Sequence, residues 1–507
     1  MIAPPDLPGR EELTNESKPS PSPPGRQGGA KNDKFIMKTL RYIWMLCLAV
    51  VAVGFTSCDD DDEASGSSAI TVTQIYLEDA DATVTDRPVD FVRLGQTIRI
   101  EGSGFKGLKE LYINGYETYF NTAYVTNTNM IVSVSTDTPV TDADPEARNT
   151  IRFVKSGTEY VYEFDIRAAS PVITSVDNTL PQPGETVTVY GENLQETTIV
   201  TLPDGTQVTE TDITNAPEDE EGEWFSFVMP SGVSGYGALT ITCANGTAKT
   251  AEYFNNRTCM VLDFDGTGTQ GAWNWSETGS MIDATDLVDD PLGTGRGTVL
   301  KIIPDRLLQA GGIAASKARA TECWTAGKDD ATGMDDWSRM YEFISDTTLL
   351  TDVAFQFDIY VPDSWVGTGH IQLCLMNNFN FGGIGSDDDS DSKQCAFYCP
   401  WIVDGKAVPF STEGKWMTVT IPFSEFGKYA AEMADGDAPT FAEVVADRNA
   451  ATYSNFGMGF VNTDFTLDGL EVKSTICKQE IYIDNWRVVP CKSEIISDFP
   501  DEEETAE

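Results

Sequence analysis

The stretch Pro183–Leu194, PGETVTVYGENL, decides the fold class, because it holds a turn, an alternating strand and a second turn in sequence. Pro and Gly open it as turn residues, and Val and Tyr then alternate with Thr as on a half-buried β-strand. A second copy, LGQTIRIEGSGF, occupies Leu94–Phe105. In each copy the strand is left through a Gly that permits a positive φ. The repeat therefore predicts two β-rich units in tandem.

The surroundings of the repeat have the same character. Short runs rich in Val, Ile, Thr, Tyr and Phe recur between Gly, Pro, Asn and Asp, a pattern typical of all-β sandwiches. The tandem repeat resembles the IPT/TIG immunoglobulin-like fold. That resemblance implies one domain over residues 70–168 and a second over 169–257, both acting as rigid spacers.

A larger unit follows from Cys259. Its opening, closing and two inner strand patterns are Met260–Gly266, Glu480–Val488, Val353–Pro362 and Gly414–Phe426. Their alternation indicates half-buried strands. The set resembles the jelly-roll fold of carbohydrate-binding modules, which implies a glycan-binding domain over residues 258–492 and an acidic tail over 493–507. The predicted fold class is all-β, with two immunoglobulin-like sandwiches followed by a larger jelly-roll β-sandwich.

The chain upstream of the repeat predicts export. A basic segment, Met37–Arg41, precedes the apolar run Tyr42–Phe55, which is too short for a membrane-spanning helix of about 20 residues. We interpret residues 37–57 as a lipoprotein signal peptide, with Cys58 as the lipidated residue. The alternative is a buried apolar helix followed by an acidic linker.

The segments before and after this signal peptide are not predicted to form folded domains. Residues 1–36 are of low complexity and are interpreted as a leader ahead of the true start at Met37. Residues 58–69 form an acidic flexible linker, and their run Asp59–Glu63 resembles the surface-export tag of Bacteroidetes lipoproteins.

The net charge of the chain limits the classes of ligand that we expect it to bind. The chain has 80 acidic and 34 basic residues, for a net charge of -46. Such a chain repels phosphate backbones and anionic membrane surfaces, so nucleic acid is not an expected partner. Neutral and cationic ligands stay open.

Tryptophan distribution points to the third unit as the binding unit, because eight of the ten Trp lie in it. An indole offers a flat apolar face and one N–H donor, which suits stacking on sugar rings. The predicted glycan-binding residues are Trp337, Trp324, Trp273, Trp275, Trp401 and Asn378, with Gln372 as a further amide. The alternative for the Trp side chains is that each anchors its own loop. Trp416 and Trp486 are predicted to lie in the core, and Trp365 to hold the loop after Pro362.

Three carboxylates are candidates for a metal site. Asp263, Asp265 and Asp484 come from strands that should be neighbours, and oxygen ligands suit a structural Ca²⁺. The alternative is three solvated or hydrogen-bonded carboxylates. No other cofactor is predicted.

Catalytic motifs are missing from the sequence. It contains no Gly-x-Ser-x-Gly elbow, His-Glu-x-x-His helix or phosphate-binding loop, and the lone His370 begins a strand-like run. We therefore predict that the chain is not an enzyme. The cysteines are interpreted as mostly buried apolar residues, with room for one or two disulfides.

The order of these parts resembles the surface glycan-binding proteins of Bacteroidetes polysaccharide utilisation loci, in particular the SGBP-B type, a SusE/SusF-positioned lipoprotein. The resemblance implies a protein anchored in the outer membrane through Cys58 at the cell surface. It further implies capture of a neutral polysaccharide, such as xyloglucan or mixed-linkage glucan, for a surface glycanase and a SusC/SusD-like TonB-dependent importer. The alternative function is that of a surface adhesin or protein-interaction lipoprotein.

Overall fold

A computed structural model of the chain describes residues 68–79, 86–217, 222–271, 282, 284–302, 319–378, 381–494 and 496–499. The predicted signal peptide, Cys58 and the acidic linker as far as residue 67 lie outside the described residues. So do Trp273, Trp275 and residues 500–507. Within the described part, no helix combines the length and the apolar character needed to cross a membrane.

The first unit is a sandwich of two antiparallel sheets. Its strands are β1 (Thr71–Leu77), β2 (Arg87–Pro88), β3 (Phe91–Arg93), β4 (Thr97–Ser103), β5 (Glu110–Ile113), β6 (Tyr116–Glu117), β7 (Asn129–Ser133), β8 (Thr150–Lys155), β9 (Thr158–Glu163) and β10 (Asp165–Arg167). The sheet orders are β2-β1-β4-β7 and β6-β5-β8-β9, with a short parallel pair β10-β3. Alternation places Ile98 and Ile100 of β4 in the core beside Phe153.

The second unit repeats this plan. Its strands are β11 (Val172–Val176), β12 (Thr186–Glu192), β13 (Ile199–Thr201), β14 (Gln207–Thr209), β15 (Ile213–Asn215), β16 (Trp224–Val228), β17 (Thr240–Cys243) and β18 (Gly246–Lys249). The sheets run β11-β12-β16-β15 and β14-β13-β17-β18. Strand β12 lies between β11 and β16 as β4 lies between β1 and β7.

The repeated glycines have a different role from the predicted one. Gly102 and Gly191 are absent from the positive-φ residues, whereas Gly104 (φ 79°) and Asn193 (φ 58°), two positions later, adopt positive φ. A Cβ on Gly102 or Gly191 would lie 1.8 or 1.9 Å from a carbonyl oxygen of the preceding strand. These two glycines are therefore required by close backbone approach, not by φ.

The third unit is the largest and has the most extensive core. Its strands are β19 (Met260–Leu262), β20 (Leu287–Asp289), β21 (Thr298–Ile302), β22 (Arg319–Trp324), β23 (Val353–Tyr360), β24 (His370–Cys374), β25 (Cys395–Tyr398), β26 (Ile402–Val403), β27 (Lys406–Ala407), β28 (Met417–Pro422), β29 (Gly457–Val461), β30 (Phe465–Leu467), β31 (Leu470–Val472) and β32 (Ile481–Pro490). Two helices, α1 (Gly427–Ala434) and α2 (Phe441–Ala450), lie between β28 and β29. The sequence analysis did not predict these helices.

Two sheets enclose this core. One has the order β20-β21-β32-β23-β28 with β19 also paired to β32, and the other has the order β22-β29-β24-β25. Every described side chain of β22, β24 and β29 is buried, so both faces of the four-stranded sheet are covered. Phe381 covers the second face at Gly459, where a Cβ would lie 2.7 Å from its ring.

Polar contacts connect the units. The Asp177 carbonyl accepts a hydrogen bond from the Thr418 backbone N–H at 2.6 Å, and the Thr179 N–H donates to the Thr418 hydroxyl at 2.9 Å. Between the first and second units, the Arg93 guanidinium donates to the Asn245 carbonyl at 2.9 Å.

The eight cysteines of the described residues are free thiols, and seven of them are buried. The prediction that the cysteines are mostly buried apolar residues is confirmed for the described ones. In this structure the sulfurs of Cys374 and Cys395, on paired strands, lie 3.6 Å apart.

Candidate functional site

Three of the predicted sugar platforms lie in the core. Trp324, Trp337 and Trp401 are 3%, 2% and 0% exposed, so none has a face available to a sugar ring. The platform prediction for these three residues is wrong, and the alternative, an aromatic that anchors its own surroundings, describes them.

Each of the three indoles also has a hydrogen-bond partner for its N–H. Trp337 donates to Asp335 at 3.1 Å, and Trp401 donates to the Gly369 carbonyl at 2.9 Å. Trp324 donates to Glu322 at 3.3 Å. A buried indole needs such a partner, and polar neighbours in sequence supply it.

The core predictions for the other Trp side chains are confirmed. Trp416 and Trp486 are both fully buried. Trp365 is 1% exposed, donates its indole N–H to the Thr368 carbonyl at 2.8 Å, and pairs through its backbone with Phe410. It therefore holds the loop after Pro362, as predicted.

Trp273 and Trp275 lie outside the described residues and stay predictions. The described residues on either side both attach to β22. The Gly271 N–H donates to the Trp324 carbonyl at 2.7 Å, and the Ile282 N–H donates to the Glu322 carbonyl at 3.1 Å. The described residues that flank the two Trp, Gly271 and Ile282, thus both bind the edge strand β22 of the four-stranded sheet.

Each of the three predicted calcium ligands accepts a hydrogen bond from within the chain. Asp263 accepts hydrogen bonds from the backbone of Asp265 and Thr267, and Asp265 accepts one from Thr298. Asp484 is buried, and its pKa is raised to about 8. Burial is the largest cause, and the negative charge of Asp358 is the second. In the part of the chain that the structure describes, no group of three acidic, His or Cys side chains is placed to hold a metal. The hydrogen bonds observed for these carboxylates are those of the alternative, and the calcium site stays a prediction.

His370 and Gln372 support a loop instead of facing solvent. Burial lowers the pKa of His370 to about 3, and its Nε2 accepts a hydrogen bond from the Ile384 N–H at 3.3 Å. Gln372 accepts one from the Gly383 N–H at 2.9 Å. The neutral imidazole and the amide thus fix the loop that carries Phe381, so Gln372 is not a surface donor to a sugar.

Asn378 is the predicted residue that the structure leaves exposed. Its neighbour Asn377 donates its backbone N–H to the Tyr453 carbonyl at 3.0 Å, which places the backbone of this segment next to that of Tyr453, a residue that is 49% exposed. We call Asn377, Asn378 and Tyr453 the Tyr453 surface. It lies at one end of the four-stranded sheet. There β22 ends at Trp324 and β24 ends at Cys374, and both residues pair with Gly457, where β29 begins.

A well-fixed segment supports Tyr453. Asn455 donates to the Thr325 carbonyl at 2.7 Å, and the Phe456 N–H donates to the Thr325 hydroxyl at 2.8 Å. On the other side, Lys328 donates to the Ala451 carbonyl at 2.8 Å. An exposed aromatic ring on a segment that is fixed in this way suits recognition of a neutral hydroxylated ligand. The sequence analysis missed Tyr453, because it considered only Trp as a stacking residue.

The third unit also has a groove, which lies along β25. It encloses about 410 Å³, and its apolar wall includes Ile384, Phe397 and Leu467. Its other lining residues include four carboxylates, Asp389, Asp404, Glu425 and Asp468. Carboxylates accept hydrogen bonds from hydroxyl groups and repel anions, so this groove also favours a neutral or cationic ligand.

The comparisons with known proteins agree with this architecture. Residues 253–490 match the family model for the surface glycan-binding protein B xyloglucan binding domain. An IPT/TIG domain-containing protein from Bacteroides ovatus is 30% identical over 225 residues, which are 43% of this chain and 45% of that protein. The match therefore spans less than half of the relative's length.

A solved structure has a similar fold. The crystal structure of surface glycan-binding protein PbSGBP-B from Prevotella bryantii matches with a TM-score of 0.58 at 20% identity, covering 84% of this chain and all of that one. The all-β architecture is thus shared along most of the described chain. The third unit is therefore similar to the xyloglucan binding domain of surface glycan-binding protein B, and two immunoglobulin-like units precede it.

Proposed function

We propose that the third unit binds a neutral β-glucan, of the xyloglucan or mixed-linkage class, without chemical conversion. The observation that carries this proposal is the match of residues 253–490 to a xyloglucan binding domain. The Tyr453 surface supplies one exposed ring and two Asn residues at the sheet end, and Trp273 and Trp275 follow Gly271 in sequence, whose N–H donates to the Trp324 carbonyl.

The proposed site uses stacking and hydrogen bonds, not ion pairs. A flat-on-flat contact of a ring on a nucleobase is worth about 1–3 kcal/mol, and we take a sugar stack to be similar. Two or three stacks amount to about 2–9 kcal/mol before the cost of ordering the ligand, so we expect an affinity between about millimolar and about micromolar. Because the ligand is neutral, moderate salt should leave this affinity unchanged. The alternative, a protein-binding adhesin, predicts salt-sensitive binding at this net charge.

The proposal includes capture without catalysis. The lone His370 is buried and neutral, so it is poorly placed to act as a surface base. We expect no release of reducing ends when the protein is incubated with a bound polysaccharide. Captured polymer would be passed to a surface glycanase and to a SusC/SusD-like importer.

The site is tested by affinity electrophoresis of the full chain in gels containing xyloglucan, mixed-linkage glucan, starch or mannan. Tyr453→Ala, Trp273→Ala and Trp275→Ala should each reduce retardation by the β-glucans. The matched control is Tyr236→Ala, which removes a 46% exposed tyrosine from the second unit. Unretarded migration of the wild type in every gel contradicts the proposed function. Full retardation of all three variants contradicts the proposed site.

Surface anchoring through Cys58 is a separate proposal with its own test. Cys58→Ala should abolish incorporation of labelled fatty acid and release the protein from the membrane fraction. Protease treatment of intact cells should then degrade the wild-type protein, since the proposed location is the outer face of the outer membrane. Survival of the wild type under protease would contradict that location.

A further inference from the structure

The first unit carries an exposed aromatic loop that the proposed function leaves unused. Tyr119 is 84% exposed and Tyr124 is 60% exposed, the two highest values among the exposed large hydrophobic side chains of the described residues. They lie between β6 and β7, on the connection that crosses from one sheet of the sandwich to the other.

The composition of this loop differs from that of the chain as a whole. Tyr116–Met130, YETYFNTAYVTNTNM, has one charged residue, Glu117, although the chain carries 80 acidic residues. The rest includes four aromatic, three Asn and four Thr residues. Rigid aromatic rings among amide and hydroxyl groups are the usual means of binding an uncharged polar ligand.

The loop is built as a fixed platform. Phe120 and Val125 pack against the core of the first unit, next to the two exposed tyrosines. Asn121 caps the 3₁₀ turn Thr122–Tyr124 by accepting a hydrogen bond from the Ala123 N–H at 3.0 Å.

Further hydrogen bonds hold the far side of the loop. The Thr126 hydroxyl accepts hydrogen bonds from the Asn129 N–H at 2.8 Å and the Thr128 N–H at 3.2 Å. Because the loop is already ordered, a ligand that binds it loses little free energy in ordering the protein.

The position of the platform fits a polymer that extends beyond the third unit. It lies at the end of the first unit where the described chain begins, since Gly102 donates to the Thr128 carbonyl and Lys155 donates to the carbonyls of Ser68 and Gly104. The second unit is attached at the opposite end, through Arg93 and Asn245.

We propose that Tyr119 and Tyr124 form a second binding site for the same neutral polysaccharide. This inference rests on the proposed function. A long polymer held at the third unit reaches the first unit as an intramolecular ligand, and two linked sites can raise the apparent affinity by a factor of about 10²–10⁴. A short oligosaccharide cannot occupy both sites and gains nothing.

The difference between polymer and oligosaccharide gives the test. Binding of the full chain to long xyloglucan and to a xyloglucan oligosaccharide is measured by calorimetry for the wild type, Tyr119→Ala/Tyr124→Ala, and the control Tyr236→Ala. We expect the double variant to lose at least tenfold in affinity for the polymer while its affinity for the oligosaccharide stays within twofold. The control should match the wild type for both ligands.

Each other outcome decides against the proposal in a distinguishable way. Polymer affinity unchanged in the double variant overturns the second site and leaves the proposed function intact. Unchanged polymer affinity together with loss of binding to importer proteins would identify the platform as a protein-docking surface. Absence of binding by the wild type to either ligand overturns the proposed function and the second site together. Circular dichroism of the double variant, which changes only exposed side chains, verifies its fold.

Discussion

At the scale of single residues, Trp337 is central to the core of the third unit. Its ring stacks on Phe456 with centroids 5.8 Å apart, and the Arg448 guanidinium lies 4.1 Å above it. Arg448 also pairs with Asp335 at 2.7 Å, and both side chains are almost fully buried. Trp337 therefore contacts the buried ion pair of Arg448 and Asp335 as well as the apolar core.

We expect Trp337→Ala to destabilise the third unit by about 3–5 kcal/mol, the usual cost of removing a large buried aromatic. Guanidinium denaturation followed by tryptophan fluorescence measures this change. The folded fraction of the variant should bind glycan with the affinity of the wild type. A variant that keeps its stability and loses binding would restore Trp337 as a sugar platform.

A buried acid gives the third unit a pH dependence. The unfolded Asp484 carboxyl titrates near pH 4, whereas burial raises its pKa to about 8 in the folded chain. Between these values the folded state holds one more proton than the unfolded state. This group therefore makes the free energy of unfolding fall as the pH rises from about 4 to about 8.

Asp484→Asn should remove that contribution, because the amide imitates the protonated acid and keeps a polar neighbour for Asn485, which donates to Asp484 at 2.8 Å. Unfolding curves at pH 5, 6, 7 and 8 should show a weaker decline with pH for the variant. Parallel pH profiles for the wild type and the variant would contradict the assigned pKa. Asp346→Asn, on another exposed carboxylate of the third unit, is the control.

The tryptophans show which part of the site was predictable from sequence. Trp416 and Trp486 sit in alternating apolar runs, so their burial follows from periodicity. Trp324 and Trp337 have acidic neighbours two residues away, which suggests exposure, but those neighbours are the partners of the buried indole N–H groups. Local polarity does not separate the two cases, since both need a polar group near the ring.

At the scale of elements, the tandem strand repeat was predicted from its pattern, and close backbone contact requires Gly at the same position of both copies. Gly191 of β12 faces the Val172 carbonyl of β11, and Gly102 of β4 faces the Thr71 carbonyl of β1. The strand pairing of β11 and β12 shifts register close to this contact, as does that of β1 and β4. Neither the contact nor the shift can be read from alternation alone.

We expect Gly191→Ala to destabilise the second unit by about 1–3 kcal/mol, because its Cβ would lie 1.9 Å from a carbonyl oxygen and the strands must separate. Thermal unfolding of the full chain measures the loss. Glu192→Ala, at the exposed neighbouring position, should leave the transition unchanged. Equal stability of Gly191→Ala and the wild type would refute the close approach.

At the scale of the whole molecule, the end of the chain returns to the first unit. Asp498 accepts two hydrogen bonds from Arg93, at 2.6 and 2.7 Å, and Phe499 stacks on Phe91 with centroids 6.3 Å apart. Arg87 lies 4.2 Å above the Phe499 ring. Residues 496–499, which we call the C-terminal strap, thus connect the third unit to the first across the second.

Removal of residues 493–507 should loosen the arrangement of the units, because the first unit then keeps only its contacts with the second. Small-angle scattering should show a larger radius of gyration and a broader distance distribution than for the wild type. Removal of residues 500–507 alone leaves the strap and should not change either quantity. An unchanged profile after the longer deletion would mean that the strap does not restrain the first unit.

We expect the third unit of the full-length chain to capture a neutral β-glucan by stacking and hydrogen bonding. Calorimetric titration of the full chain with a xyloglucan oligosaccharide, at low and at moderate salt, measures this binding. We expect binding of between about millimolar and about micromolar affinity that is unchanged by salt and weakened by Tyr453→Ala. Absence of binding to xyloglucan and mixed-linkage oligosaccharides, or binding that disappears at moderate salt, would contradict it.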